Sequence, residues 1–218
     1  MPKLFFLIFR PDGPLHEALF SHLPEDVRRR CASIRRITQA KAAAMGHLLV
    51  RFALSEASGR HPGEIVIERG PTGKPYSPNL GIQWSLSHTN GAAAVCISSA
   101  PVGVDAERIG PVRQRVLRRV LSPREQAYVL SRPEGQEARF FEVWTRKEAA
   151  VKRDGRGLSI NLHSVDTFSD DFGLFTTLQE GDFIVSVCGA APLEERNILR
   201  LEEDALVRYF QGQPFSIP

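Results

Sequence analysis

The sequence predicts an α+β protein arranged as a pseudo-dimer, two similar lobes that each pack a long helix on a small, mostly antiparallel sheet. Three observations lead there. The apolar share of 42% and the charged share of 24% are those of a chain able to bury a core. A long helix followed by three short strands appears twice along the 218 residues. The strand ends even share letters, Val95-Cys96 before Ala100-Pro101 and Val187-Cys188 before Ala191-Pro192, a weak internal repeat. No linker of distinct composition separates the halves. An N-terminal lobe 1–101 and a C-terminal lobe 102–218 are therefore expected to meet closely, with the active site at their interface.

The elements follow from periodicity and punctuation. Residues 4–9 read as a buried strand closed by the turn cluster Arg10-Pro11-Asp12-Gly13. Pro24-Glu25-Asp26 is an acidic, proline-first helix start running into Arg28, Arg29 and Arg30. Thr38 is the expected N-cap of a longer helix ending at Gly59, in which Met45, Leu48, Leu49, Phe52 and Ala53 form one buried stripe. Ile65-Val66-Ile67 reads as a short buried strand, and residues 70–75 can only be a loop. Strands are expected around 83–86, 93–98 and 102–105. Ser122-Pro123-Arg124-Glu125 has capping-box spacing, and a longer helix should cover 136–153 and stop at Gly155. Strands should follow at 164–168, 175–178 and 183–187. The last stretch, from Glu194 on, reads either as a tail helix packed on the second lobe or as a partner surface.

Composition excludes several classes. A net charge of +3 is too mild to imply nucleic-acid binding. Cys31, Cys96 and Cys188 are too widely spaced for a disulfide scaffold or a paired metal-ligand motif. The longest apolar run, residues 4–9, is too short to span a bilayer and lacks a small-residue cleavage site behind it. A reduced, cytoplasmic setting is the expectation.

Three constellations could carry chemistry. Val102-Gly103-Val104-Asp105-Ala106-Glu107 is an apolar strand whose two carboxylates, spaced by two, share a face and can reach one cation; hard oxygen ligands of this kind suit Mg²⁺. The same pair could equally be surface acids where a strand runs out into solvent. In Trp144-Thr145-Arg146-Lys147-Glu148-Ala149-Ala150-Val151-Lys152, Trp144, Glu148 and Lys152 fall on one helical face, as a site or as a stabilising Glu-Lys pair. A basic, glycine-rich tail follows, Arg153-Asp154-Gly155-Arg156-Gly157-Leu158. Ser87 and His88 end a strand before an Asn-Gly turn and could donate to a phosphate. They are not a nucleophile–base pair, because strand neighbours face opposite ways. Lys74, in Gly73-Lys74-Pro75, is a cation on a rigid loop without the spacing of a Walker loop.

Taken in order, Gly73-Lys74-Pro75, Leu86-Ser87-His88, Gly103-Val104-Asp105-Ala106-Glu107 and Trp144-Thr145-Arg146-Lys147-Glu148-Ala149, with Lys152 and Gly157-Leu158, resemble the 4′-phosphopantetheinyl transferases. The resemblance is to the larger, two-lobed class that activates carrier proteins of nonribosomal peptide and polyketide synthetases. It implies a Mg²⁺-dependent transfer of phosphopantetheine from coenzyme A to a serine of an apo acyl, peptidyl or aryl carrier protein, releasing adenosine 3′,5′-bisphosphate. By the resemblance, Asp105, Glu107 and Glu148 hold the metal, Glu148 also takes the serine proton, directly or through a water, and Lys152 sits beside the transferring phosphate. Lys74, Ser87 and His88 contact the nucleotide end of coenzyme A, and Arg28, Arg30 and Lys41 are the early basic residues available to its 3′-phosphate. Ala106 and Ala43 depart from the family's usual residues. The resemblance also implies a monomer that completes its site within one chain and binds neither nucleic acid nor membrane.

Two other classes are weaker readings. A Mg²⁺ nuclease or phosphodiesterase could use the same carboxylates, but Ile109 stands where its lysine would follow Glu107. A basic nucleic-acid binder could use Arg28–Arg30, Arg35-Arg36 and the arginines between 113 and 119, but no aromatic stacking platform is interleaved with them.

Overall fold

The computed structural model describes residues 1–155, 161–169 and 171–214. The elements run β1 (Lys3–Ile8), α1 (Glu17–Phe20), α2 (Glu25–Ser33), α3 (Ile37–Ser58), β2 (Glu68–Arg69), β3 (Pro75–Tyr76), β4 (Gln83–Thr89) and β5 (Ala92–Ser98). They continue with β6 (Gly103–Arg108), α4 (Gln114–Val120), α5 (Pro123–Val129), α6 (Gln136–Asp154), β7 (Leu174–Glu180), β8 (Phe183–Gly189), β9 (Ile198–Glu202) and α7 (Glu203–Phe210). The class is α+β, as expected, with a four-stranded sheet β4-β5-β1-β9, a three-stranded sheet β6-β8-β7 and a two-stranded ribbon β2-β3.

The repeated unit is strand, helix, hairpin. In the first lobe β1 is followed by α3 and the β4–β5 hairpin, and β5 pairs antiparallel with β1. In the second, β6 is followed by α6 and the β7–β8 hairpin, and β8 pairs antiparallel with β6. The third strand of the first set, β6, thus opens the second sheet instead of closing the first. The shared letters lie on opposite faces: Cys96 packs between the sheets, whereas Cys188 packs under α6. Topology repeats; those letters do not.

Four layers result. α3 lies on the face of the first sheet that presents Phe5, Leu7, Ala93 and Val95. The other face, with Leu4, Phe6, Ala94 and Cys96, packs against Val104, Ala106, Val185 and Val187 of the second sheet. α6 covers the far face of that second sheet, where Ala149 and Ala150 meet Cys188. The period-two alternation of both strands thus supplies two apolar faces each, which is why the lobes stack without a linker.

The structure departs from expectation in four places. α3 begins at Ile37 with Arg36 in the cap position, so Thr38 lies inside the first turn; Gly59 does end the helix, at φ 70°. Residues 65–67 are not a strand. The buried Arg51 guanidinium donates to the carbonyls of Pro62 and Ile65, replacing a ladder, and Val66 stays exposed. Residues 164–168 are not a strand either: Ser164 ends a 3₁₀ turn over Leu162–Ser164 capped by Asn161, and beyond it the Val165 carbonyl and Thr167 amide bond to the Lys147 and Glu125 side chains. The tail helix α7 forms, but β9 and α7 return to the first lobe rather than packing on the second. β9 pairs parallel with β1, and Leu199, Leu201, Leu206 and Phe210 complete the core beneath α3. The backbone of β9 thus pairs the edge of β1 that would otherwise be open, and these four side chains add apolar burial.

Candidate active site

β4 builds the seam between the lobes. Its sequence Trp84-Ser85-Leu86-Ser87-His88-Thr89 alternates, so Ser85, Ser87 and Thr89 face the second lobe and Leu86 and His88 face α3. Each hydroxyl meets β6. Ser85 Oγ accepts from the Val104 amide at 3.1 Å, Ser87 Oγ donates to Asp105 Oδ1 at 2.7 Å, and Thr89 Oγ1 donates to Glu107 Oε2 at 3.2 Å. On the opposite face Gly46 of α3 lets the helix approach, because a Cβ there would stand 3.1 Å from His88 Cδ2 and 3.2 Å from Leu86 Cδ1.

α6 brings the second set of groups. Gly103 lies directly under it: a Cβ at this position would stand 1.9 Å from the Ala149 carbonyl oxygen and 2.5 Å from the Arg153 nitrogen. Lys152 Nζ reaches Asp105 Oδ1 at 2.6 Å, so Asp105, 4% exposed, is shared between Ser87 and Lys152. Its second oxygen, Oδ2, is buried with no hydrogen-bond partner among the described residues. The Glu148 carboxyl is raised above its usual value by burial and by the charge of Asp105, with Lys152 pulling back. Burial and Asp105 raise Glu107 likewise, opposed by hydrogen bonds from Thr89 and Trp144. Asp105 thus disfavours the charge of both Glu107 and Glu148.

Beside them lies a cleft of about 600 Å³ lined by Arg30, Ile34, Lys74, Leu86, His88 and Lys152, with Ser87 at its wall. Lys74 Nζ donates to the Arg153 carbonyl at the end of α6, at 3.3 Å, and its ammonium is lowered by burial and supported by Asp154. Burial and the nearby charges of Lys152 and Arg30 hold the His88 imidazole below the ordinary histidine value. The lining combines cationic side chains with apolar ones, a combination suited to a phosphorylated nucleotide.

Two of the expected basic residues sit elsewhere. Arg28 lies over the Phe20 ring, 5.8 Å from its centroid, and lines a separate hollow. Lys41 borders the same hollow, is 5% exposed and is paired with Glu203 at 2.8 Å, which fastens α7 to α3. Both point away from the cleft because helical spacing turns them to the side of α2 and α3 that meets α1 and the tail. Arg156, Gly157 and Leu158 lie outside the described residues.

Other residues acquire a role only in the fold. Lys147, next to Glu148, is fully buried and pairs with the fully buried Glu125 at 2.7 Å, also donating to the carbonyls of Leu162 and Val165. The same Glu125 closes the capping box of α5 and accepts from Thr167. Ser85 and Thr89 were visible only as period-two neighbours of Ser87.

No group of three or more His, Cys, Asp or Glu side chains is close enough to hold a metal ion among the described residues as they stand. The donor chemistry nonetheless fits a hard divalent cation. Asp105 Oδ2 is buried and unpartnered, and the raised carboxyls of Glu107 and Glu148 mark negative charge that a cation would relieve.

Comparison with known proteins gives a consistent result. Residues 101–192 match the 4′-phosphopantetheinyl transferase superfamily. The chain is 26% identical over 201 residues to a 4′-phosphopantetheinyl transferase of Bacillus subtilis, spanning 83% of this chain and 90% of that one. It is 26% identical over 159 residues to the 4′-phosphopantetheinyl transferase Sfp of Bacillus subtilis (strain 168), 70% of this chain and 71% of Sfp. Against the 4′-phosphopantetheinyl transferase AcpT of Salmonella typhi the identity is 32% over 185 residues, 83% of this chain and 86% of AcpT. With that identity running through both lobes, the chain is a member of the 4′-phosphopantetheinyl transferase superfamily.

Proposed function

We propose that the protein transfers the phosphopantetheine arm of coenzyme A to the serine hydroxyl of an apo carrier protein, using the seam between residues 1–101 and 102–218. The observation that carries the reading is the sharing of Asp105 between Ser87 of one lobe and Lys152 of the other, at the wall of a cationic cleft. Arg30, Lys74 and His88 receive the phosphorylated nucleotide. Ser87, whose hydroxyl is committed to Asp105, orients that carboxylate and contacts the nucleotide less directly than the sequence suggested.

In the transfer the serine oxygen forms a bond to the phosphorus that carries pantetheine, and the bond to the bridging pyrophosphate oxygen breaks, releasing adenosine 3′,5′-bisphosphate. Such displacements depend on alignment and charge neutralisation more than on covalent chemistry. Glu148 takes the serine proton, and its raised carboxyl makes it a better base than an ordinary glutamate. Lys152 adds positive charge where the phosphate oxygens gain negative charge. Asp105, Glu107 and Glu148 would hold Mg²⁺, which when bound supplies Lewis-acid polarisation of the pyrophosphate. Because one chain supplies both lobes, a monomer suffices. Among the described residues no helix is long and apolar enough to cross a membrane.

The test is intact mass of a purified apo carrier protein after incubation with the protein, coenzyme A and Mg²⁺, with an EDTA control. A gain of one phosphopantetheine group, lost with EDTA, is expected. No gain on either an acyl or a peptidyl carrier refutes the reading, and a gain that survives EDTA refutes the metal assignment.

A further inference from the structure

A chain of hydroxyls, two of them fully buried and that of Thr177 partly so, runs under α6 immediately beside Asp105. On the second sheet Asp105, Ser186 and Thr177 stand opposite one another across β6, β8 and β7, so their side chains share the face that α6 covers. Arg146 Nε donates to Thr177 Oγ1 at 2.8 Å. Thr177 and Ser186 hydroxyls are 2.9 Å apart, and Ser186 and Thr145 hydroxyls 2.7 Å. Thr145 Oγ1 ends on the Phe141 carbonyl of its own helix, at 2.8 Å. With the guanidinium as the starting donor, one direction satisfies every group: Arg146 to Thr177, Thr177 to Ser186, Ser186 to Thr145, Thr145 to the helix backbone. Thr145 and Ser186 are both 0% exposed, so neither hydroxyl can turn to water instead.

The position of this chain matters. Thr145, Glu148 and Lys152 are spaced by three and four and form one stripe along α6. One end of the stripe is pinned where Ala149 and Arg153 rest on Gly103, a contact with no side chain between helix and strand. On another side of the helix the Lys147 ammonium is held by Glu125 and by the carbonyls of Leu162 and Val165. The Thr145–Ser186 bond ties the stripe that carries Glu148 to the strand residue opposite Asp105, one turn before Glu148.

We propose that Thr145 and Ser186 are positioning residues, whose hydroxyl bond sets the roll of α6 and so holds Glu148 and Lys152 over Asp105 for the transfer. The proposal deepens the transferase reading and rests on it. A roll that moves the Glu148 carboxylate by about 1 Å would cost on the order of 100-fold in rate, because alignment is the main contribution the site makes.

The test compares Thr145→Val, Thr145→Ser and Ser186→Ala with the wild type in the carrier-loading assay, at a temperature where melting curves show each chain folded. Thr145→Val should lower kcat about 10- to 100-fold with the KM for coenzyme A little changed, since the nucleotide cleft is built mainly from β4, Arg30 and Lys74. Thr145→Ser, which keeps the oxygen, should stay within about threefold of wild type. Ser186→Ala should match the valine variant, and the double variant Thr145→Val/Ser186→Ala should be no slower than either alone, because both break the same bond. If Thr145→Val fails to fold, Ser186→Ala carries the comparison. A kcat within about twofold of wild type in a folded Thr145→Val or Ser186→Ala chain overturns the proposal. So does a loss seen only in KM or melting temperature, or an equal loss in Thr145→Ser. Inactivity of the wild type would instead overturn the transferase reading.

Discussion

The two lobes share one plan and differ in what lies between helix and sheet. Under α3 the contact is apolar: Phe5, Leu7, Ala93 and Val95 meet Ala42, Met45, Leu49 and Phe52. Under α6 it is largely polar, with Thr145, Ser186 and Asp105 all buried. α3 is also covered on its outer side by α2 and the tail, so fourteen of its residues are buried and its own chemistry is spent on packing. α6 leaves Glu148 and Lys152 half-exposed at the seam. The two halves thus differ in that α3 is spent on packing, whereas α6 keeps ionisable groups at the seam. The difference follows from burial, since ionisable groups survive in an interface only where partners and a ligand compensate them.

The largest effect on activity that separates the halves is expected at Glu148, the proposed base. Glu148→Gln should lower carrier loading roughly 10²–10⁴-fold while the melting temperature changes little, and near-native turnover would remove Glu148 from its role. On stability, Lys147→Met leaves the Glu125 carboxylate buried without its cation and should cost about 3–5 kcal/mol in denaturant titration. The double replacement Lys147→Met/Glu125→Leu should recover much of that loss. If the single variant is neutral, the second lobe does not depend on its polar core.

The two glycines under the helices offer a direct contrast. Gly103→Ala forces a methyl into the α6 backbone and should cost about 3 kcal/mol or more, together with the activity. Gly46→Ala meets only the ends of His88 and Leu86, gains helix propensity, and should change stability by no more than about 1 kcal/mol. Equal costs would mean that the helices sit equally close to their sheets.

A smaller effect tests α3 by pH. His47 accepts from Arg51 Nε and is held to about 4, by burial first and then by the Arg51 charge. Above the ordinary histidine value both folded and unfolded chains carry it neutral. As pH falls from about 6.5 to about 4 the unfolded chain takes up a proton that the folded chain refuses, so stability is lost through that window. Melting curves at pH 5 and 7.5 should show a larger loss in the wild type than in His47→Gln. The smallest effect concerns association. Arg115, Arg118 and Arg119 stand exposed on α4 with Arg113 at its start, and Arg113→Glu/Arg115→Glu should slow the encounter with an acidic carrier protein while leaving coenzyme A affinity unchanged. Equal effects on both would count against steering.

Much of this protein is legible without coordinates. Asp105 and Glu107 share a strand face, Glu148 and Lys152 a helix face, and Gly59, Gly155 and the Ser122 box mark helix ends, because period, propensity and capping act over a few residues. What sequence left open was decided over long distances. Lys152 turned to Asp105 rather than to Glu148, and Arg51 on one side, Lys147 and Glu125 on the other, bonded the backbone of two apparent strands and kept them out of a ladder. Lys41 was drawn to Glu203, a residue 162 positions away, and the tail that carries Glu203 joined the first sheet. Local pattern specifies which face of an element is apolar or charged. Which partner meets that face depends on the packing of every other element, and no window of sequence contains it.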